Sequence, residues 1–152
     1  EAVRAGLEDV RGVARRLRPD VLADLGLQAA LIALTRDIGA QAGLRVHRSL
    51  GLALPDLPED VELVVYRIAQ EALTNVARHA RADEVEVALS RQGTALVLTI
   101  ADDGAGLRGA VPGAGVRGMT ERAELIEAEL SIGGREGGGT VVRLVVPERG
   151  VA

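Results

Sequence analysis

The chain has no cysteine, no phenylalanine, no tryptophan and no lysine. Without cysteine there is neither a disulfide framework nor a thiolate metal site. Tyr66 is the only aromatic residue, so the interior must be built from Leu, Val, Ile and Ala. A lone tyrosine also leaves no row of aromatic platforms for stacking bases. All 18 basic residues are Arg, and 22 acids leave a formal net charge of −4, which argues against a nucleic-acid partner. No apolar run approaches the length of a membrane span, and no segment reads as a secretion signal, so no direct membrane insertion is expected. What is present is 152 residues, 47% hydrophobic and 26% charged, which fits one globular domain with a substantial core. The first residue is Glu1 rather than Met, so a longer parent chain is expected, with the cytoplasm as its compartment.

The rest of the sequence is organised around Asp102-Asp103-Gly104-Ala105-Gly106, which follows the apolar run Ala95–Ile100. The run alternates as a buried strand does, and the acids and glycines stop it. Two acids at the end of a buried strand cost desolvation unless a partner compensates. The two glycines let the backbone turn or approach a ligand closely. A carboxylate held there suits an amino-group donor such as the exocyclic nitrogen of adenine; a simple hairpin turn is the alternative reading.

Along the chain, Val3, Leu7, Val10, Val13, Ala14 and Leu17 have helical spacing, and Arg18-Pro19 ends that helix. A second helix is predicted over Val21–Ala42, with Leu25, Leu27, Ala30, Leu31, Leu34, Ile38 and Ala42 inward and Gly43 as its stop. Leu44–Leu50 reads as an edge strand in which His47 is solvated, and Gly51–Pro58 as a loop. The clearest helix covers Glu59–Ala80, with Val61, Val65, Ile68, Ala72 and Val76 on one stripe and Glu71, Asn75 and Arg78 at its margin. A carboxylate and a carboxamide one turn apart can hold a hydrated Mg²⁺. Asp83–Arg91 and Ala95–Ile100 form a hairpin; Leu107–Arg117 is a loop; Gly118–Ala128 is a helix with Gly115 and Gly118 framing its start. A glycine-framed helix start offers free N–H groups to phosphate. Leu130–Ile132 and Val141–Val146 are strands, joined through the turn Gly137–Thr140.

The order of these signals resembles the GHKL ATPase superfamily, named for gyrase, heat-shock chaperones, histidine kinases and MutL. The helix with Glu71 and Asn75, Asp-x-Gly-x-Gly at 102–106, Gly-x-x-Gly at 115–118 and Gly-x-Gly-Thr at 137–140 are similar to its N, G1, G2 and G3 boxes. The wording is nearest to sensor histidine kinases of the nitrate-sensor-like subfamily. Tyr66-Arg-Ile-Ala-Gln-Glu-Ala-Leu-Thr-Asn-Val-Ala-Arg-His-Ala80 resembles its N box, and Gly115-Val-Arg-Gly-Met-Thr-Glu-Arg122 its G2 box. Leu17-Arg-Pro-Asp-Val-Leu-Ala-Asp-Leu-Gly-Leu27 resembles the junction between the dimerising helices and the catalytic domain.

The resemblance implies an α/β sandwich of the Bergerat type, a mixed sheet with helices packed on one face. Residues 1–18 would be the remnant of the second dimerisation helix, and 19–152 the catalytic domain with a lid over about 104–118. Asp102 would bond the adenine amino group while Gly104 and Gly106 let the backbone approach the base. Asn75 would ligate Mg²⁺ and Glu71 orient water around it. Arg78 and His79 would reach phosphate oxygens, with His79 near the apolar stripe. Gly115, Val116, Gly118 and Met119 would offer N–H groups to the β- and γ-phosphates, and Thr140 would close the pocket floor. The implied activity is transfer of the ATP γ-phosphoryl to a histidine on the dimerisation domain, absent here, for relay to a response regulator. Neither His47 nor His79 has the sequence context of that acceptor. The fragment is expected to be a monomer or weak dimer and the whole protein a homodimer, membrane-anchored or not. An anti-sigma-factor serine kinase and a non-catalytic nucleotide-binding module are the alternatives. Two departures stand out: Glu127-Ala128-Glu129 replaces a glycine pair, which is expected to lengthen the preceding helix, and the lid has no basic or aromatic residue between Gly109 and Val116, so thin lid contacts are expected.

Overall fold

A computed structural model describes residues 19–51, 54–105 and 114–147. The helix expected over Ala2–Leu17, Gly106 and the middle of the expected lid lie outside the described residues. The elements in order are α1 (Asp20–Leu25), α2 (Leu27–Ala42), β1 (Arg45–Leu50), α3 (Glu59–Asn75), a π-helical turn (Val76–Ala80), β2 (Glu84–Gln92), β3 (Ala95–Asp102), α4 (Ala114–Leu125), β4 (Glu129–Gly134) and β5 (Thr140–Val146). The five strands form one sheet in the order β1-β2-β3-β5-β4. β1 and β2 are parallel, with α3 in the connection between them; the other pairs are antiparallel. The sheet is mixed and β1 is an edge strand, as expected from the sequence.

Register explains the core. Leu50, Leu89, Leu98, Leu144 and Leu130 stand side by side across all five strands. Val87, Ile100, Val142 and Ile132 make a second row. These residues join one apolar cluster with Val61, Val65, Ile68, Ala72 and Val76 of the α3 stripe and with Ala30, Leu31 and Leu34 of α2. The other sheet face alternates toward solvent through His47, Glu86, Thr99 and Arg143. At the edge, Arg48 of β1 donates to Oγ1 of the buried Thr35 on α2 at 3.0 Å. Among the described residues no helix is long and apolar enough to cross a membrane.

The structure corrects four sequence expectations. The helix predicted over Val21–Ala42 is broken at Gly26, whose φ of 90° and ψ of 179° are closed to other residues. The break turns Leu25 out, 71% exposed, and Ala42 at the far end is exposed too. The last turn of the Glu59–Ala80 helix is π rather than α, and Arg81 ends it in the left-handed region at φ 53°. α4 starts at Ala114, so Gly115 and Gly118 lie within it rather than frame its start. Glu127 does not lengthen that helix: it takes φ 56° in the turn that stops it, with the N–H of Ala128 bonded to Ala123 O at 2.9 Å.

Ile68 is fully buried between α3 and the sheet. Ile68→Ala is expected to lower the unfolding free energy by about 2–5 kcal/mol, read by urea denaturation followed by circular dichroism.

Candidate functional site

The strand β3 puts Leu96, Leu98, Ile100 and Asp102 on its core face by simple alternation. Asp102 is therefore the last member of an apolar row, and it is 2% exposed. It stands beside Val85 on β2, and the β3–β5 register carried one step further sets Thr140 opposite it. Its Oδ1 accepts the N–H of Gly104 at 2.8 Å, which turns the chain away at the strand end. The carboxylate thus sits on the helical side of the sheet, at the end of the sandwich where β3 stops.

Gly139 controls that end from below. A Cβ built on it would overlap the carbonyl oxygen of Asp102 and lie 3.1 Å from Cα of Asp103. Its φ of 104° is also a value that residues with a side chain rarely adopt. The glycine turn before β5 is thereby pressed backbone to backbone against the Asp102 stretch. Motif reading points to Thr140 at the end of this turn and passes over Gly139. The available signal is a run of three glycines, longer than a tight turn needs.

A second group lies between α3 and α4. Glu71 and Asn75 are half-buried and one turn apart on α3. A Cβ on Gly115 would overlap the Glu71 carboxylate, so the first turn of α4 rests on that side chain. Val116 follows in the same turn, and Thr120 donates back to its carbonyl at 3.0 Å. Gly115 and Val116 lie in the first described turn of α4, and the positions four residues before them are outside the described residues. The N–H groups of Gly118 and Met119 are spent inside the helix. Met119 packs fully buried in the core. Arg78 and His79 lie in the π turn and are exposed, so His79, expected near the apolar stripe, is not part of the core. His47 is exposed as well, 3.1 Å from Glu84.

The structure therefore forms two clusters from the expected residues: Asp102, Gly104 and Thr140 at the sheet end, and Glu71, Asn75, Gly115 and Val116 between the two helices. α3 touches both α4 and β3, which makes it the element common to the two. A cavity of about 440 Å³ lined by Leu25, Leu27, Leu54, Leu57, Leu89 and Leu96 contains none of them. Leu96 and Asp102 are at opposite ends of β3, about 20 Å apart at the rise of an antiparallel strand.

Gly139→Ala is expected to destabilise the domain by about 1–3 kcal/mol more than Gly137→Ala in chemical denaturation. Both positions have positive φ, but only Gly139 has backbone in the way.

Comparison with known proteins follows the same lines. Residues 60–150 match the family described as histidine kinase-, DNA gyrase B-, and HSP90-like ATPase. The chain is 37% identical over 145 residues to the oxygen sensor histidine kinase NreB of Staphylococcus carnosus. That match covers 93% of this chain and 42% of the relative, so the chain spans about two fifths of the length of that curated protein. Among solved structures it is similar to a blue-light activated histidine kinase of Erythrobacter litoralis, with a TM-score of 0.68 and 25% identity over 82% of this chain and 41% of that one. The fold alone is shared with the histidine kinase AdeS of Acinetobacter baumannii, with a TM-score of 0.64 and 13% identity over 80% of this chain and 63% of that one.

Proposed function

The chain belongs to the histidine kinase-, DNA gyrase B-, and HSP90-like ATPase family, and on that premise we propose that it is the ATP-binding catalytic domain of a two-component sensor histidine kinase. The observation that carries the reading is Asp102, a carboxylate 2% exposed in an otherwise apolar row and held at the end of the strand. A buried carboxylate is costly unless it meets a donor. The exocyclic amino group of adenine is a donor of the right kind, and the 37% identity to a sensor histidine kinase supports that ligand.

On this reading the base enters beside Asp102, with Gly104 and Gly106 letting the backbone approach it and Thr140 forming the floor. The phosphates would extend toward the start of α4, where Gly115 and Val116 stand near the positive end of the helix dipole. For Gly118 and Met119 to contribute N–H groups, the first turn of α4 must open when nucleotide binds. Arg78 and His79 supply cationic and hydrogen-bonding reach from the π turn.

Magnesium fits the donor set. Glu71 and Asn75 offer oxygens one turn apart, and no group of three His, Cys, Asp or Glu among the described residues forms a metal cage of its own. Such a thin protein shell suits a hydrated Mg²⁺ shared with phosphates. When bound, the ion neutralises charge on the β- and γ-phosphates. In this assignment Asn75 would ligate the ion and Glu71 would orient its water.

The reaction is γ-phosphoryl transfer to an imidazole nitrogen: the N–P bond forms as the bond to the β–γ bridging oxygen breaks, and ADP leaves with that oxygen. The chain contributes positioning and charge neutralisation rather than a covalent step of its own. The accepting histidine and the base beside it belong to the dimerisation domain, and an aspartate of a response regulator receives the group next. The proposed location is the cytoplasm.

Calorimetric titration of ADP with Mg²⁺ is the direct test, because the chain has no tryptophan to report binding. Asp102→Asn is expected to weaken binding by about tenfold or more, about 1.4 kcal/mol. Removal of Mg²⁺ with EDTA is expected to weaken it too. Equal binding by the wild type and the variant would remove Asp102 from the site. Incubated with ATP and Mg²⁺, the 152-residue chain is expected to form no acid-labile phosphohistidine, as read by phosphoamino-acid analysis.

A further inference from the structure

Asp103 has no part in the site as assigned, yet its side chain is tied into the same end of the sheet. One carboxylate oxygen, Oδ1, accepts the N–H of Asp83 at 2.9 Å and of Glu84 at 3.0 Å. Its own N–H donates to Glu84 O at 3.3 Å, so backbone and side chain together grip the start of β2. Asp83 is tied onward to β1, whose Arg45 N–H donates to Asp83 O at 2.9 Å. On the other flank stands Gly139, close enough that a Cβ on it would lie 3.1 Å from Asp103 Cα. The N–H of Glu84, then that of Asp83, hold the carboxyl below its ordinary value of 3.8, with Arg135 adding a smaller pull, so it is ionised at neutral pH.

The two gripped residues have a particular place in the chain. They follow Arg81, the left-handed residue that ends the π turn carrying Arg78 and His79 directly after Asn75. Asp103 therefore joins the exit of the proposed phosphate-side segment to the strand end that carries the proposed base-side carboxylate. With one neighbour clamped to β2 and the Asp102 carbonyl pressed on Gly139, Asp102 has little freedom to tilt.

We propose that Asp103 is a positioning residue for nucleotide recognition: by clasping the Asp83 and Glu84 N–H groups it fixes the direction in which Asp102 presents its carboxylate, and so sets the selectivity for adenine. The proposal rests on the assignment of Asp102 to the adenine amino group. A plain strand cap at the same place would add stability without altering the choice of base.

The test is calorimetric titration of ADP and of IDP, which carries a carbonyl where adenine carries its amino group, into the wild type, Asp103→Ala and Asp103→Asn, with thermal unfolding recorded in parallel. The wild type is expected to prefer ADP. Asp103→Ala is expected to shrink the ADP-to-IDP affinity ratio by about fivefold or more, and Asp103→Asn, which keeps an acceptor oxygen, to hold it within about twofold of wild type. Asp103→Glu moves the acceptor by one methylene and is expected to behave like the alanine variant, so it decides the matter if that variant does not fold. An unchanged ratio in Asp103→Ala or Asp103→Glu, whatever happens to the melting temperature, overturns the proposal. A wild type that binds both nucleotides equally overturns the assignment of Asp102 instead.

Discussion

The structure depends on where a single carboxylate is kept. Asp102 stands on the core face of the central strand, in line with Leu96, Leu98 and Ile100, and is nearly inaccessible. A charge in that position is tolerable only if the surrounding backbone cannot collapse over it and a donor can reach it. Both conditions are met by backbone, not by large side chains. Gly104 turns the chain sharply and donates its N–H, and Gly139 brings the next strand up against the Asp102 carbonyl. The candidate site thereby stands where the apolar pattern of β3 is broken.

The same economy appears between the helices. α4 and the turn after it bury Met119, Ala123 and Ile126 in the core, which fixes the helix's rotation, while its first turn rests on Glu71 at Gly115. An alanine there would collide with the Glu71 carboxylate, which would have to swing away from the start of α4. The core contacts and the site contacts of α4 are therefore not independent. A change that shifts α3 by a fraction of an ångström is felt at the start of α4, because packed interiors transmit displacement rather than absorb it.

Much of this is legible in the sequence, for a definite reason. The α3 stripe and the β2 and β3 alternation come from periodicity, and every residue named for the α3 stripe is buried. The order of glycine and acid motifs is readable because such motifs report backbone constraints directly. What is not legible depends on choices between nearly equal local states. Gly26 breaks a continuous helical pattern because the helix must change direction there, and nothing in the apolar spacing marks the change. The π turn comes from one extra residue accommodated at the end of α3, which helical periodicity over five residues cannot resolve. The true start of α4 is hidden because Ala114–Arg117 has the composition of a loop; tertiary packing of the helix overrides it.

Adjacent acids with different environments complete the physical picture. Asp102 and Asp103 differ by one step along an alternating strand, and that step takes one carboxylate into the interior and leaves the other in solvent. The exposed one satisfies two backbone N–H groups that the end of the β2–β3 ladder would otherwise leave to water. The buried one accepts the N–H of Gly104 at its Oδ1, and on the proposed assignment its carboxylate would also meet a donor from the nucleotide. Had both acids been saturated by the fold, the strand end would be a rigid cap with nothing to offer a ligand. Had neither been, the loop would lack the stiffness that selective recognition requires. On the proposed assignment, division of labour between the two neighbours would give this end of the sheet both an anchor and a reader.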